Sequence, residues 1–378
     1  MRPNWSVPAL RPASEVFKIL CLKGSAFEMG RQHGECLRDE IVYAIHRCIE
    51  RFALSQQGWH RDTLLAFAQQ LAQGLPDAYR EELQGISAGS GASMDDLLLW
   101  NFFDDYWEVC GCSAFAASGA RTASGAMLVG HNIDFPEDGS QRVAVTIIRE
   151  PTQGMPSLCH AWAGIVGTYE GMNLQGLVIA NQFSETDDDD PGGVPIKVVN
   201  RMLLDRCTCP IEAAELIRSV RRNFGSNILV ADRERALVVE CSGRDVVVRQ
   251  AHAGVLAVSN HYCTLVPSQP QATSSYKTLE RLASLERWLN DGRQPLNVSQ
   301  CITRLDTPPI RRDGPPDNWT ISSAVYEPDE LKTHLAHGFL PASRGAFVEV
   351  SLADLAGGPV GLLCQPYGER VTELSREP

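Results

Sequence analysis

The sequence predicts an α+β protein. From Ser14 to about Glu108 its apolar residues recur at three- and four-residue intervals, the rhythm of amphipathic helices. After Gly111 the chain breaks into short β-rich runs separated by Gly, Asp and Asn, and the later helical stretches fall in blocks between them. A parallel α/β sheet would instead alternate strand and helix one by one.

In chain order, "EVFKILCLKG" is a short extended piece ahead of the helices. "RDTLLAFAQQLAQGL" and "AYREELQGISAGSG" carry helical periodicity, and the second ends in glycines that suit a helix stop. "SMDDLLLWNFFDDYW" restarts a helix, with Ser93 as N-cap and acids in its first turn. The strand-like runs are "GAMLVGHNID", "RVAVTIIRE", "SLCHAWAGIVG", "LQGLVIANQF", "SNILVADRE", "ALVVECSG", "DVVVRQA" and "GVLAVSNHY". Helices "PIKVVNRMLLDRC", "PIEAAELIRSVRR" and "SSYKTLERLASLERWL" interrupt them, and strands "TISSAVYEP" and "GAFVEVSL" close the series. The chain thus divides into an N-terminal helical segment, 1–111, and a β-rich part, 112–378, that together form one compact unit.

With 378 residues, 44% of them hydrophobic and 21% charged, a sizeable core is available. A formal charge of −12, from 46 acids against 34 bases, argues against a phosphate-binding surface and hence against nucleic acid as partner. The N-terminus lacks the apolar run of a signal peptide, and no stretch reaches the roughly 18 apolar residues of a membrane span. The expected compartment is therefore the cytoplasm, with no membrane partner. There the 12 cysteines read as free thiols, and the sequons at Asn4, Asn297 and Asn318 carry little meaning. "ETDDDDPGG" reads as a solvated loop, since a calcium loop needs staggered oxygen ligands.

Chemistry concentrates at Cys110-Gly111-Cys112. A zinc site needs four ligands at recognisable spacing, and the other Cys-x-Cys, Cys207 with Cys209, has no histidine near it. A redox pair is normally Cys-x-x-Cys. The remaining reading is that the protein cuts its own Gly111–Cys112 bond. Cys112 would then begin a new chain, and its freed α-amine, with an ordinary pKa of about 7.7–8.0, would serve as base for its own thiol. Such a site needs a carboxylate to hold the amine and an amide to donate to the oxyanion. Asp134 lies 134 − 112 = 22 residues on, the span of a hairpin returning beside the cysteine, and Asn260 ends the strand-like "AVSNHY".

The ordered blocks "FEMGRQHG", "GCSAF", "GHNIDF", "GMNLQGLVIANQF", "SNILVADRERALVVE" and "VSNHY" resemble the acyl-CoA:6-aminopenicillanate acyltransferase family of autoproteolytic N-terminal-nucleophile (Ntn) hydrolases. That family is distantly related to choloylglycine hydrolases and acid ceramidase. The resemblance implies a four-layer αββα sandwich with antiparallel sheets, a segment cut away before the cysteine, and amide chemistry through a thioester acyl-enzyme. It matches Cys112 to the nucleophile, Asp134 to the amine-orienting carboxylate, Asn260 to the side-chain oxyanion donor and Asn181 to a second donor through its backbone N–H. The chain departs at His131, where the choloylglycine hydrolases have arginine, and near Ser-Ser, where "SSYKTLERL" offers Lys277.

His131, His261 and Lys277 are therefore expected to support the site rather than react, and His33 to pack. Trp107, Trp162, Tyr169 and Phe183 lie near the motif blocks as core or acyl-pocket candidates. The expected partners are a small-molecule amide or acyl donor and the two fragments of the cleaved chain, with a homo-oligomer left open; no metal or organic cofactor is implied. Two other readings are an Ntn-fold ligand-binding protein that is never processed and a Cys-x-Cys metal-binding protein.

Overall fold

The computed structural model describes residues 16–107, 111–136, 139–267, 271, 277–292, 294–315 and 318–366. Cys110 and the Ser-Ser pair ahead of Lys277 lie outside them.

The chain opens on β1 (Val16–Gly24), then α1 (Ala26–Cys36), α2 (Arg38–Ala44) running into a π-helical turn, α3 (Arg61–Gln73), α4 (Asp77–Ser90) and α5 (Met94–Trp107). Ser25 caps α1 in a reciprocal box with Glu28. Gly91, at φ 78°, closes α4, where a side chain would be strained. Ser93 accepts the Asp96 N–H at 3.1 Å, as an N-cap should.

The spacing inside "GRQHG" has a packing cause. Gly30 and Gly34 share one face of α1 and meet Gly85 and Gly89 of α4 backbone to backbone. A Cβ on Gly30 would sit 2.0 Å from the Glu82 carbonyl oxygen, and one on Gly85 2.2 Å from that of Phe27. No side chain larger than hydrogen fits this crossing without moving a helix.

Two sheets follow. β2 (Gly111–Ala117) and β3 (Leu128–Phe135) form the expected hairpin, and β4 (Ala144–Pro151), β5 (Ser157–Trp162), β6 (Glu170–Asn173) and β7 (Val178–Phe183) continue as a meander. Helices α6 (Ile196–Arg206) and α7 (Pro210–Ser219) precede β8 (Ser226–Ala231), β9 (Ala236–Cys241), β10 (Val246–Gln250) and β11 (Val255–Val258). After α8 (Thr278–Asn290) and α9 (Val298–Leu305) come β12 (Trp319–Glu327), β13 (Lys332–His337), β14 (Val348–Ser351), α10 (Leu352–Leu355) and β15 (Gly361–Pro366). The nine-stranded sheet runs β10-β9-β8-β7-β6-β5-β4-β1-β15, and the six-stranded sheet β11-β2-β3-β12-β13-β14.

Three apolar cores separate the layers. The helices α1 to α7 cover one face of the large sheet through residues such as Leu83, Trp100, Val145, Ile147, Leu203 and Val230. Ala114, Ala116, Val129, Leu158, Val178 and Leu229 fill the space between the sheets. Phe115, Ala117, Leu285, Leu289 and Leu305 join the small sheet to α8 and α9. The layer order is the expected αββα. Alternation along β2 sends even residues between the sheets and odd ones to α8. Gly130, opposite Phe115 in the ladder, makes room for that ring; a Cβ there would lie 2.3 Å from it.

One pairing departs from the antiparallel expectation. β1 lies between β4 and β15, parallel to the first and antiparallel to the second. The extended piece ahead of the helices is thus an interior strand, so residues before Gly111 are not only helical.

Candidate active site

β2 carries Cys112 at the rim of the small sheet, fully buried, with Gly111 paired to Asp134 and Cys112 to Ile133 across the hairpin. On its other side β2 pairs with β11, which stops at Val258 opposite Ala114, so the chain that follows passes Cys112. There Asn260 turns back, and its Oδ1 accepts the Cys112 backbone N–H at 2.8 Å. Its Nδ2, which carries two hydrogens, donates to the Phe183 carbonyl at 2.7 Å.

Arg281 on α8 completes this corner. Fully buried, it donates through Nη2 to Asn260 Oδ1 at 2.6 Å and through Nη1 to the Cys112 carbonyl. The same Nη1 lies 3.6 Å from Asp134 Oδ2. Lys277 instead sits exposed at the head of α8. The cation expected from "SSYKTLERL" is therefore supplied by Arg281, one helical turn further on. Lys277 stands ahead of the first helical turn with left-handed backbone (φ 51°), whereas Arg281 lies within α8 and reaches the strand end.

Asp134 is nearly as buried. Oδ1 accepts from Thr320 Oγ1 at 2.7 Å, whereas Oδ2 accepts no hydrogen bond among the described residues. Burial raises its pKa to about 7; Arg281 opposes this and the Cys112 thiol adds to it. A buried carboxylate oxygen without a donor costs about 1–3 kcal/mol or more. In the ladder it is paired with Gly111, next to the Cys112 nitrogen.

Behind the cysteine, His131 faces between the sheets. Its Nδ1 lies 3.0 Å from Glu170 Oε2, both side chains being fully buried. Glu170 also accepts from Ser322 Oγ at 2.8 Å and Tyr326 Oη at 3.1 Å. Burial alone would strip the proton from this imidazole, but the Glu170 charge, seconded by the Cys112 thiol, raises its pKa to about 10. Glu170 escaped the sequence reading; the signal for it is a lone acid in the short β-rich run "TYEGMN".

The other candidates stand apart from this cluster or are already engaged. The Asn181 N–H, expected as an oxyanion donor, is bonded to the Tyr169 carbonyl at 2.9 Å, which extends the β6–β7 ladder one residue past the Glu170–Ala180 pair, at the end away from the turn. Its side-chain oxygen accepts from Ser226 Oγ at 2.5 Å. His261 turns away toward Thr278 Oγ1, 2.8 Å distant, and Ser259. His33 accepts the Gly164 N–H at 2.8 Å and is held neutral by burial, with a pKa down at about 3. Trp162 is buried among Trp100, Phe135 and Tyr169, and Tyr169 donates to Asp104 at 2.6 Å. Phe183 is half-buried at the site through its carbonyl; Trp107 closes α5, its side chain outside the description. Cys207 and Cys209 bracket the α6–α7 junction, and no cluster of His, Cys, Asp or Glu among the described residues is arranged to hold a metal.

The family model of the acyl-coenzyme A:6-aminopenicillanic acid acyl-transferases matches residues 120–338, more than half of the chain. The chain belongs to this family. The matched span contains Asp134, Glu170, Asn260 and Arg281 and begins just after Cys112. An uncharacterized protein of Archaeoglobus fulgidus is 25% identical over 266 residues, 61% of this chain and 44% of that protein, so the chain spans less than half its length. Among solved structures, a mutant of the conjugated bile acid hydrolase from Clostridium perfringens is similar at TM-score 0.48 and 13% identity, over 70% of this chain and 99% of that one. Penicillin V acylase from Agrobacterium tumefaciens gives 0.46 and 13%, over 67% and 90%. The Caenorhabditis elegans ortholog of N-acylethanolamine-hydrolyzing acid amidase gives 0.45 and 15%, over 57% and 93%. No helix among the described residues is long and apolar enough to cross a membrane.

Proposed function

We propose that this acyl-transferase family member is a self-processing enzyme that cuts its Gly111–Cys112 bond and then cleaves or forms a small-molecule amide through a thioester on Cys112. The observation that carries the reading is the convergence on the Cys112 nitrogen. An acceptor on Asn260 already holds that nitrogen, and a buried carboxylate oxygen lacking a donor belongs to Asp134, the residue paired with the scissile glycine.

Each residue then has a role. The Cys112 thiol attacks an acyl carbonyl, and the freed α-amine, held between Asn260 Oδ1 and Asp134, carries the proton to the leaving amine. Asn260 Nδ2 donates to the oxyanion. Arg281 fixes the Asn260 side chain and the Cys112 carbonyl, so that the donor is aimed before the charge develops. Because the Asn181 N–H is occupied, any contribution from β7 comes from the Asn181 side-chain amide. Water resolves the acyl-enzyme to an acid, or a second amine to a new amide.

Intact-mass measurement of the purified, incubated chain tests this. The expected result is two fragments meeting at Gly111 and Cys112, with a single intact chain for Cys112→Ala. A wild-type chain that stays whole and leaves a panel of small amides and acyl-CoAs unchanged would falsify the proposal and favour a ligand-binding role.

A further inference from the structure

Ntn chemistry needs no imidazole, since the α-amine serves as base, yet this site has a buried histidine behind its nucleophile. The β2–β3 register pairs Cys112 with Ile133 and His131 with Ala114, so Cys112 and His131 are diagonal neighbours on one sheet face. Such neighbours are within reach of each other's side chains. Glu170 reaches across from the opposite sheet to Nδ1, and Ser322 and Tyr326, which flank the His131 partner Ala324 on β12, fix that carboxylate. The Cys112 thiol lies close enough to hydrogen-bond the ring, and with its charge it raises the affinity of the ring for its proton.

We propose that His131, locked as a cation by Glu170, stabilises the thiolate of Cys112, so that the mature enzyme rests as a thiolate–imidazolium pair with its α-amine protonated against Asp134. The inference rests on the functional reading above and changes where the proton starts. The thiolate attacks the amide carbon; the C–S bond forms and the carbonyl π pair moves to oxygen. As the C–N bond breaks, the α-ammonium gives its proton to the leaving nitrogen. Water then attacks the thioester and yields a proton to the α-amine, and the departing sulfur returns as thiolate. His131 keeps its proton throughout and acts as fixed charge.

The other titratable groups around the pair agree with this assignment. Glu170 is held below its ordinary pKa by His131 and its hydrogen bonds, against the effect of burial, and so stays anionic. His160, on β5, is pushed down to about 4 by burial and adds no competing cation. Tyr326 is raised by burial and by Glu170, and stays a donor. On the far side of the cysteine, Arg281 and Asp134 face each other.

The test is the pH dependence of Cys112 alkylation by iodoacetamide, read as labelled β fragment by mass. The proposal expects a wild-type midpoint well below the ordinary thiol value of about 8.5. His131→Gln and Glu170→Gln should move it up and slow labelling about tenfold or more near neutral pH, with little change in alkali where any thiol ionises. His131→Arg, which keeps a cation for Glu170, should restore the low midpoint. A wild-type midpoint at or above that of a free thiol, or one unmoved in processed His131→Gln, overturns the inference while leaving self-cleavage and amide turnover standing. If the variants do not mature, the ring nitrogens of His131 in labelled wild-type enzyme decide it by NMR: a neutral ring near pH about 7 overturns the pair. A wild-type chain that never cleaves itself fails the functional reading first.

Discussion

The backbone N–H of Cys112 donates to the side-chain oxygen of Asn260 across 2.8 Å, joining residues 148 positions apart. An amide nitrogen donates one hydrogen; the amine that the proposed cleavage would put in its place would keep that acceptor and gain donors for Asp134. In the proposed mechanism Asn260 serves the nitrogen through oxygen and the oxyanion through nitrogen, and the two roles separate by substitution. Asn260→Ala should lower kcat about 10²–10³-fold. Asn260→Asp keeps an oxygen for the amine but has no donor, so kcat should fall similarly while the α-amine remains anchored. Single-turnover kinetics on processed protein measures both, and a loss below tenfold in each would remove Asn260 from the oxyanion site.

Self-cleavage should follow the ionisation of Asp134. Burial lifts this acid to about 7 in the uncleaved chain, so below that pH it is mostly protonated and cannot accept a proton or attract the nascent amine. The cleavage rate should rise with pH and level off above about 7, falling about tenfold per unit on the acid side. Stability runs the other way. The folded pKa exceeds the unfolded value of about 3.9, so the contribution of this group is fully present below about 3.9 and lost as pH rises through about 7. Time courses of fragment formation across pH, and urea midpoints of Cys112→Ala with and without Asp134→Asn, check the two signs.

The α+β class and the hairpin from Cys112 to Asp134 were legible because each rests on a local pattern: alternation in "MLVGHNID", glycine punctuation, and a span suited to one turn; the αββα layering came from the family resemblance. β13, "KTHLAH", was not legible, because it has only two apolar residues, Leu335 and Ala336, and is held as a strand by pairing with its neighbours. Arg281 and Glu170 escaped for a different reason. One reaches Cys112 from a helix on the outer face, the other crosses between the sheets, and tertiary placement rather than spacing brings them to the cysteine. The bond from the Asn181 N–H to the Tyr169 carbonyl is one that only the sheet register reveals.

The choice between the two cations of "SSYKTLERL" is testable directly. Lys277→Ala removes an exposed charge and should leave processing, activity and stability within about 0.5 kcal/mol of wild type. Arg281→Ala strands Asp134 and unlocks Asn260; breaking a buried pair costs about 3–5 kcal/mol. Arg281→Lys keeps the charge without the fork that serves Asn260 and the Cys112 carbonyl together, and should recover stability better than turnover. Thermal unfolding alongside initial rates measures the split. Equal losses for Lys277→Ala and Arg281→Ala would return the role to Lys277.

Cleavage should not release the α fragment. Its strand β1 lies inside the large sheet, between β4 and β15, and α5 is fastened to α6 through Lys197. That buried ammonium pairs with Asp104 and, at 2.9 Å, with Asp105, and donates to the Asn101 carbonyl at 2.6 Å. The acids lie before the proposed cut and Lys197 after it, so the cluster would span the fragments. Both fragments should co-elute in native size exclusion and separate only in denaturant. Lys197→Met leaves two buried carboxylates without their cation and should destabilise the processed form by about 3–5 kcal/mol. It should lower the urea concentration at which the fragments part. Fragments that separate in dilute native buffer would show that neither the strand nor the lysine holds them.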